Sequence, residues 1–270
     1  MLDTCSPYIK LTDCGSTALV THCPFMPPDP ARPRVVRVNK WFYYVTTSEE
    51  FRPYRDPSAI KGDNLASVRK SFNRLKAVIN CNYESPESVR YITLTYAENM
   101  QDNSRIRDDM RYFVRNMKRR YGSFEYLYVK EQQQRGAWHM HCVLFFAGEA
   151  PYMPNTEDDH PVRDAWGHGF VNVKGFDGDI NNLGNYLCAY LTDDNAEGKK
   201  GARLCNYESG IRLYNCSRGV KRPQTKHLTY HEYLDFASDD NNVLISGSES
   251  VIFDASVKPR KVAHELYVIY

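Results

Sequence analysis

The clearest pattern along the chain lies between Tyr126 and Phe146, where two runs of period-two alternation flank a short polar break. Leu127, Val129 and Glu131 alternate with Tyr126, Tyr128 and Lys130; further on, His139, His141, Val143 and Phe145 alternate with Met140, Cys142, Leu144 and Phe146. Alternation on both sides of a glycine-containing break predicts a β-hairpin. A three-residue loop of Gln134, Arg135 and Gly136, with Gly136 in the left-handed region, sets Gln133 against Ala137, Glu131 against His139 and Val129 against His141.

Elsewhere the period changes. Leu65, Val68, Phe72, Leu75 and Ile79 recur at three and four, which predicts an amphipathic helix after Asp63. Residues 88–98 (SVRYITLTYAE) read as a strand. Ser104 is placed to cap a second helix with the apolar stripe Ile106, Met110, Phe113, Val114 and Met117, and Asp108 and Asp109 suit its first turn. After the hairpin come a loop (PYMPNTEDD), a short helix from Val162 to Trp166 stopped by Gly167, a strand in GFVNVKGF, and a helix from Asp179 through INNLGNYLCAYLTDD. From residue 88 onward the order is strand, helix, strand, strand, helix, strand. This is an α+β architecture, a ferredoxin-like split βαββαβ core with a central antiparallel sheet and one additional tyrosine-bearing helix.

The flanks are less patterned. Residues 1–33 are proline-bearing with little periodicity and suggest an irregular arm, while Arg34–Thr47 is β-prone and suits an edge strand or hairpin. The expected organisation is an arm and edge strand over 1–62, a core over 63–230 and a tail over 231–270 whose role is open.

Composition changes this picture little. With 270 residues, the chain can bury a sizeable core. The formal charge of +2 hides local segregation: basic residues crowd positions 105–120 and 199–226, against acidic Asp235, Asp239 and Asp240. Either cluster alone reads as a solvated face. Eight cysteines occur without a C-x-x-C pair, a secretory leader or a bilayer-spanning apolar run, so reduced thiols and a cytoplasmic, non-membrane protein are expected. Cys5, Cys14 and Cys23 with His22 match no zinc spacing.

Chemistry enters through the hairpin register. Residues directly opposite each other in an antiparallel ladder point to one face with Cβ atoms about 5 Å apart. Glu131, His139 and His141 therefore converge, and two imidazoles with one carboxylate can hold manganese, magnesium or zinc from one side. The plainer reading of H-x-H is two half-buried strand histidines with ordinary hydrogen bonds. Tyr186 and Tyr190, four apart, share one helix face, with Leu183, Leu187 and Leu191 on a parallel stripe. On their own, they read as packing residues with hydroxyls at the rim.

The combination is more specific. The strand Ile92–Tyr96, then E-x7-H-x-H ending in His139-Met140-His141, then Tyr186 and Tyr190, resembles the HUH endonucleases, in particular the rolling-circle replication initiators of plasmids and of small and filamentous single-stranded-DNA phages. Glu131 with RGAWH resembles the E-x-x-x-RG-x-x-H-x-H segment of the phage-type members, and RLYNCSRGVKRP (212–223) their basic segment after the tyrosines. The resemblance spans about residues 64–223. One departure is that Ala189 and Asp193 stand where many members carry a lysine three positions after a tyrosine.

The resemblance implies nicking and rejoining of single-stranded or hairpin origin DNA through a 5′-phosphotyrosine on Tyr186 or Tyr190. It implies Mn2+ or Mg2+ on Glu131, His139 and His141, and DNA contacts by Arg135, Arg218, Lys221 and Arg222. Tyr126, Tyr128 and Trp138 are candidates for stacking on bases. No GxxxxGK[ST] is present, so unwinding is expected from a host helicase, with a host polymerase extending the freed end. A conjugative relaxase or an HUH transposase would use the same chemistry. A non-catalytic single-stranded nucleic-acid binder shares the strand order but has no use for the triad.

Overall fold

Two short β-rich flanks and a central α/β segment make up the described chain. The computed structural model describes residues 8–23, 35–39, 41–54, 65–133, 135–175, 211–254 and 257–270. The tyrosine-bearing helix expected over 179–193 lies outside them. In chain order the strands are β1 (Tyr8–Asp13), β2 (Thr17–Cys23), β3 (Val35–Arg37), β4 (Phe42–Val45), β5 (Glu50–Pro53), β6 (Val89–Thr95), β7 (Glu125–Gln132), β8 (Trp138–Phe145), β9 (Val171–Gly175), β10 (Tyr214–Cys216), β11 (Gln224–Leu228), β12 (Asn242–Asp254) and β13 (Val257–Ile269). The helices are α1 (Leu65–Asn80), α2 (Ile106–Tyr121), α3 (Pro161–Trp166) and α4 (Tyr230–Ala237).

The chain divides into two compact units, one of Met1–Asp13, Ala18–Ala59 and Thr225–Tyr270, the other of Cys14–Thr17 and Ile60–Gln224. The second unit holds a sheet in the order β10-β7-β8-β6-β9, antiparallel throughout. Its first and third strands, β6 and β8, are central, and the second and fourth, β7 and β9, flank them. That is the split order read from residue 88 onward, with β10 added at one edge. The hairpin register is as the alternation requires: Glu131 faces His139 and Val129 faces His141. Gly136 takes φ +87°, and Gln133 N–H bonds Ala137 O at 2.8 Å across the loop.

One face of this sheet packs on α2, whose stripe Ile106, Met110, Phe113, Val114 and Met117 is wholly buried. Trp166 of α3 meets Phe113 edge-on at 6.0 Å and Tyr96 at 5.0 Å. Helix α2 starts one residue later than its cap signal indicated. Arg105 is its N-cap, and the Ser104 hydroxyl instead bonds Asp102 at 2.7 Å, because Asp102 offers a nearer carboxylate than the helix offers free N–H groups. The opposite face bears the histidines, and α1 lies on that side: Ser71 and Arg74 line a cavity with Tyr214, which pairs in register with Val129.

The first unit differs from the irregular arm read for residues 1–33. Tyr8–Asp13 and Thr17–Cys23 form a hairpin inside a sheet ordered β11-β1-β2-β13-β12. Ile9, Leu11, Ala18 and Val20 are buried there with Tyr267. The alternation is real but only a few residues long, and its partner β13 comes from the far end of the chain. The tail of open role is α4 followed by the long β12–β13 hairpin. Thr229 caps α4 by accepting from Glu232 N–H at 3.2 Å, and the Glu232 carboxylate accepts in return from Thr229 N–H at 2.7 Å. Cys14, Cys23, Cys81, Cys142 and Cys216 carry free thiols.

Candidate active site

Strand alternation on β6 and β8 builds the site. His141 lies opposite Thr93 and His139 opposite Thr95, so one face presents Tyr91, Thr93 and Thr95 alongside both imidazoles. The hairpin puts Glu131 on the same face. The two imidazole centroids are 6.3 Å apart.

His141 is held from both sides. Its Nδ1 lies 2.6 Å from the Tyr91 hydroxyl, and its Nε2 lies 2.7 Å from Glu131 Oε2. The His141 side chain is 5 % exposed and that of Glu131 16 %, so both sit where solvent screens weakly. Tyr91, itself buried, stacks on the ring at 5.9 Å between centroids and 21° between planes.

His139 is held less firmly. Thr95 Oγ1 is 3.5 Å from its Nδ1, and its Nε2 is buried with no hydrogen-bond partner among the described residues. Burial lowers its pKa to about 4, with His141 and Arg135 pushing the same way against the Glu131 carboxylate. The imidazole is therefore neutral at pH 7, with a lone pair free to bind. A buried ring nitrogen without a partner costs stability and calls for a ligand.

Two imidazoles and a carboxylate on one face fit a divalent cation by donor type, and the orphaned His139 nitrogen fits it by need. Among the described residues, no three His, Cys, Asp or Glu side chains form a closed ligand cluster. Glu131 closes on His141 instead, and that hydrogen bond is the one a cation would replace.

The remaining expected residues fall in different places. Tyr186 and Tyr190 lie outside the described residues. Arg135 sits on the hairpin loop, where its guanidinium donates to Tyr96 O at 3.2 Å and to Gln133 Oε1 at 3.1 Å. Arg218 is exposed beyond β10. Lys221 pairs with Glu84 at 3.5 Å, while Arg222 donates to Cys216 Sγ at 3.0 Å.

The stacking candidates need correcting. Trp138 is 2 % exposed and its indole N–H donates to Gln101 O at 2.9 Å. Tyr128 is 5 % exposed, and Tyr126 stacks beside it. All three alternate onto the face opposite the histidines, where Ile106 of α2 and Tyr128 line one cavity. Burial against the helix side removes them from contact with bases at the site.

The sequence reading missed Tyr91, Thr93 and Thr95 as supports of the imidazoles. Their period of two was visible, but only the pairing of β6 with β8 tells which face of that strand meets the histidines.

Comparison with known proteins bears on the same segment. Residues 89–195 match the family model of the replication-associated protein ORF2. The match supports a replication initiator. It runs from β6 through the hairpin and β9 and takes in Tyr186 and Tyr190, leaving α1 and the basic segment after residue 211 outside. No curated protein and no solved structure matches significantly. A role in replication carries with it binding to DNA, and no helix among the described residues is long and apolar enough to cross a membrane.

Proposed function

We propose that the chain initiates rolling-circle replication by nicking one strand of origin DNA and later rejoining it through a covalent tyrosine link. The observation that carries this reading is the shared face of Glu131, His139 and His141, with an orphaned buried nitrogen on His139, inside the segment that matches a replication-associated family.

Glu131, His139 and His141 would hold Mn2+ or Mg2+, and a bound cation supplies charge neutralisation at a non-bridging oxygen of the phosphate. Tyr91 fixes the His141 ring so that Nε2 points into the site. His139 keeps its lone pair because burial holds it neutral at pH 7.

The nucleophile is the phenol oxygen of Tyr186 or Tyr190. That oxygen forms a bond to phosphorus as the P–O3′ bond breaks; the phenol gives up its proton and the departing 3′-oxygen takes one up. A free phenol titrates near pH 10, so a cation must lower that value or the proton must leave during attack. Lys199, Lys200 or a basic residue of the SRGVKRP segment takes the part of the missing family lysine. The product phosphodiester is close in energy to the one broken, so a later 3′-hydroxyl can displace the tyrosine and reseal the strand without ATP. Two phenols on one helix face allow a second cut while the first link persists.

The test is an SDS-resistant adduct between the protein and a single-stranded oligonucleotide pool of randomised sequence, with Mn2+ present. The wild type is expected to form an adduct that maps by mass spectrometry to Tyr186 or Tyr190, and the Tyr186→Phe/Tyr190→Phe variant none. A wild type that links to no strand in the pool sinks the reading.

A further inference from the structure

The edge strand β10 brings a cluster of cations onto the histidine face. Tyr214 of β10 lies opposite Val129 of β7, which lies opposite His141 of β8, so the three side chains share one face. Neighbouring strands are about 4.8 Å apart, which sets Tyr214 roughly 10 Å from His141 across the sheet.

Beside Tyr214 opens a cavity of about 590 Å³ whose lining, among the described residues, includes Lys70, Arg74, Arg212 and Arg222 and no carboxylate. Lys70 and Arg74 come from one side of α1, at a spacing where like charges repel each other. Arg222 is aimed by its bond to Cys216 Sγ, and the turn before it is fixed because Asn82 bonds both the N–H and the C=O of Lys221, at 2.9 and 3.0 Å.

These four cations stand apart from the others. Arg52, Arg105, Arg107, Arg111, Lys221 and Lys261 each have a carboxylate within 4 Å. None of the four forms an ion pair among the described residues. Arg74 and Arg222 also both draw down the phenol of Tyr214, which burial on balance raises, so their charges act on one spot. Uncompensated guanidinium groups gathered around an open cavity suit the forked oxygens of a phosphodiester.

We propose that this cavity is a second contact for the DNA strand, in which Lys70, Arg74, Arg212 and Arg222 hold backbone phosphates a few nucleotides from the one that is cut. The proposal rests on the nicking reading for the direction of the strand, though not for the binding itself. Three of its four residues were not among the expected DNA contacts, and Lys221, which was, spends its charge on Glu84.

The test separates binding from chemistry by using Tyr186→Phe/Tyr190→Phe protein in EDTA. Anisotropy of a fluorescein-labelled, mixed-sequence single strand is followed against salt. The doubles Arg74→Gln/Arg222→Gln and Lys70→Gln/Arg212→Gln should each lower the slope of log K against log salt by about 1.4, at roughly 0.7 per lost phosphate contact. The matched double Arg37→Gln/Lys261→Gln should leave it unchanged. Arg74→Lys/Arg222→Lys, which keeps the charge, should bind with the parental slope, and this excludes damage to the fold as the cause. Parental slopes in both cavity doubles overturn the proposal while a wild-type adduct leaves the nicking reading standing. Displacement of the strand by inorganic phosphate, beyond what equal ionic strength explains, would overturn it in favour of a free-anion site.

Discussion

The Tyr91 hydroxyl lies 2.6 Å from Nδ1 of His141, on the side of the ring away from Glu131. This contact determines which ring nitrogen is left to face the site, and it comes from a strand that precedes the histidines by fifty residues. Tyr91→Phe keeps the buried ring and removes the contact. Partners of this kind are worth about 10- to 100-fold in metal affinity. Calorimetric titration with Mn2+ should show a loss in that range with the fold intact. Equal affinity would mean that Thr93, at 3.4 Å from the same nitrogen, suffices.

His139 should titrate far below an ordinary histidine. Its pKa is lowered to about 4 from 6.5, first by burial. Because the unfolded chain takes up the proton first, the contribution of this residue to stability is present above pH 6.5 and lost as pH falls towards 4. The Cε1 proton signal, followed by NMR against pH, should show its midpoint near the lower value. A midpoint near 6.5 would place the ring in water.

Gly169 is a second point of dependence. It has φ +150°, and a methyl group there would collide with Ala97 N and Thr95 O. On either side, Thr95 N–H bonds Phe170 O and Ala97 N–H bonds His168 O, both at 2.9 Å. Gly169→Ala should cost roughly 1–3 kcal/mol from backbone strain alone, and more as β6 is displaced. Urea unfolding measures the loss, and an unchanged midpoint would show that the approach can open freely.

In the other unit, Glu265 is a buried acid whose carboxylate accepts from Tyr267 at 2.9 Å and from Tyr233 at 3.0 Å, with His22 Nε2 at 3.2 Å. Burial pushes its pKa up, and His22, Tyr267 and Tyr233 together outweigh that, leaving it below 4.5. A depressed carboxyl stabilises the fold above its unfolded value and loses that contribution as pH falls through the folded one. Protection of the β2 and β13 amides against hydrogen exchange should therefore drop as the pH falls below 4.5, and Glu265→Gln should flatten the drop. An equal drop in the variant would assign the acid sensitivity to another group.

Some elements were legible because their signal is local. The α2 stripe at three-and-four spacing emerged wholly buried, and the Glu131–His139 register followed from alternation and loop length alone. The Thr229-x-x-Glu232 cap was equally plain in the sequence, yet the tail around it was left open because β12 and β13 lack a clean period. Residues 8–23 were read as irregular because four buried positions in a short hairpin make a weak pattern beside a proline-rich stretch. Tyr128 and Trp138 looked available for bases only while the side of the sheet covered by α2 was unknown.

What the chain's own order of residues determined is whatever neighbours in sequence can decide: helix stripes, the bend at Gly136, and the convergence of Glu131 with His139 and His141 across one hairpin. What folding alone decided is which strand lies beside which. Alternation tells that a residue has two faces to choose between, but not what each face meets. Only the placement of β6 next to β8 brought Tyr91 to His141, and only the placement of β10 beyond β7 gathered Lys70 and Arg74 of α1 with Arg212 and Arg222. Those contacts join segments from about 50 to about 150 residues apart. Their energy comes from burial and pairing that no short window of sequence contains.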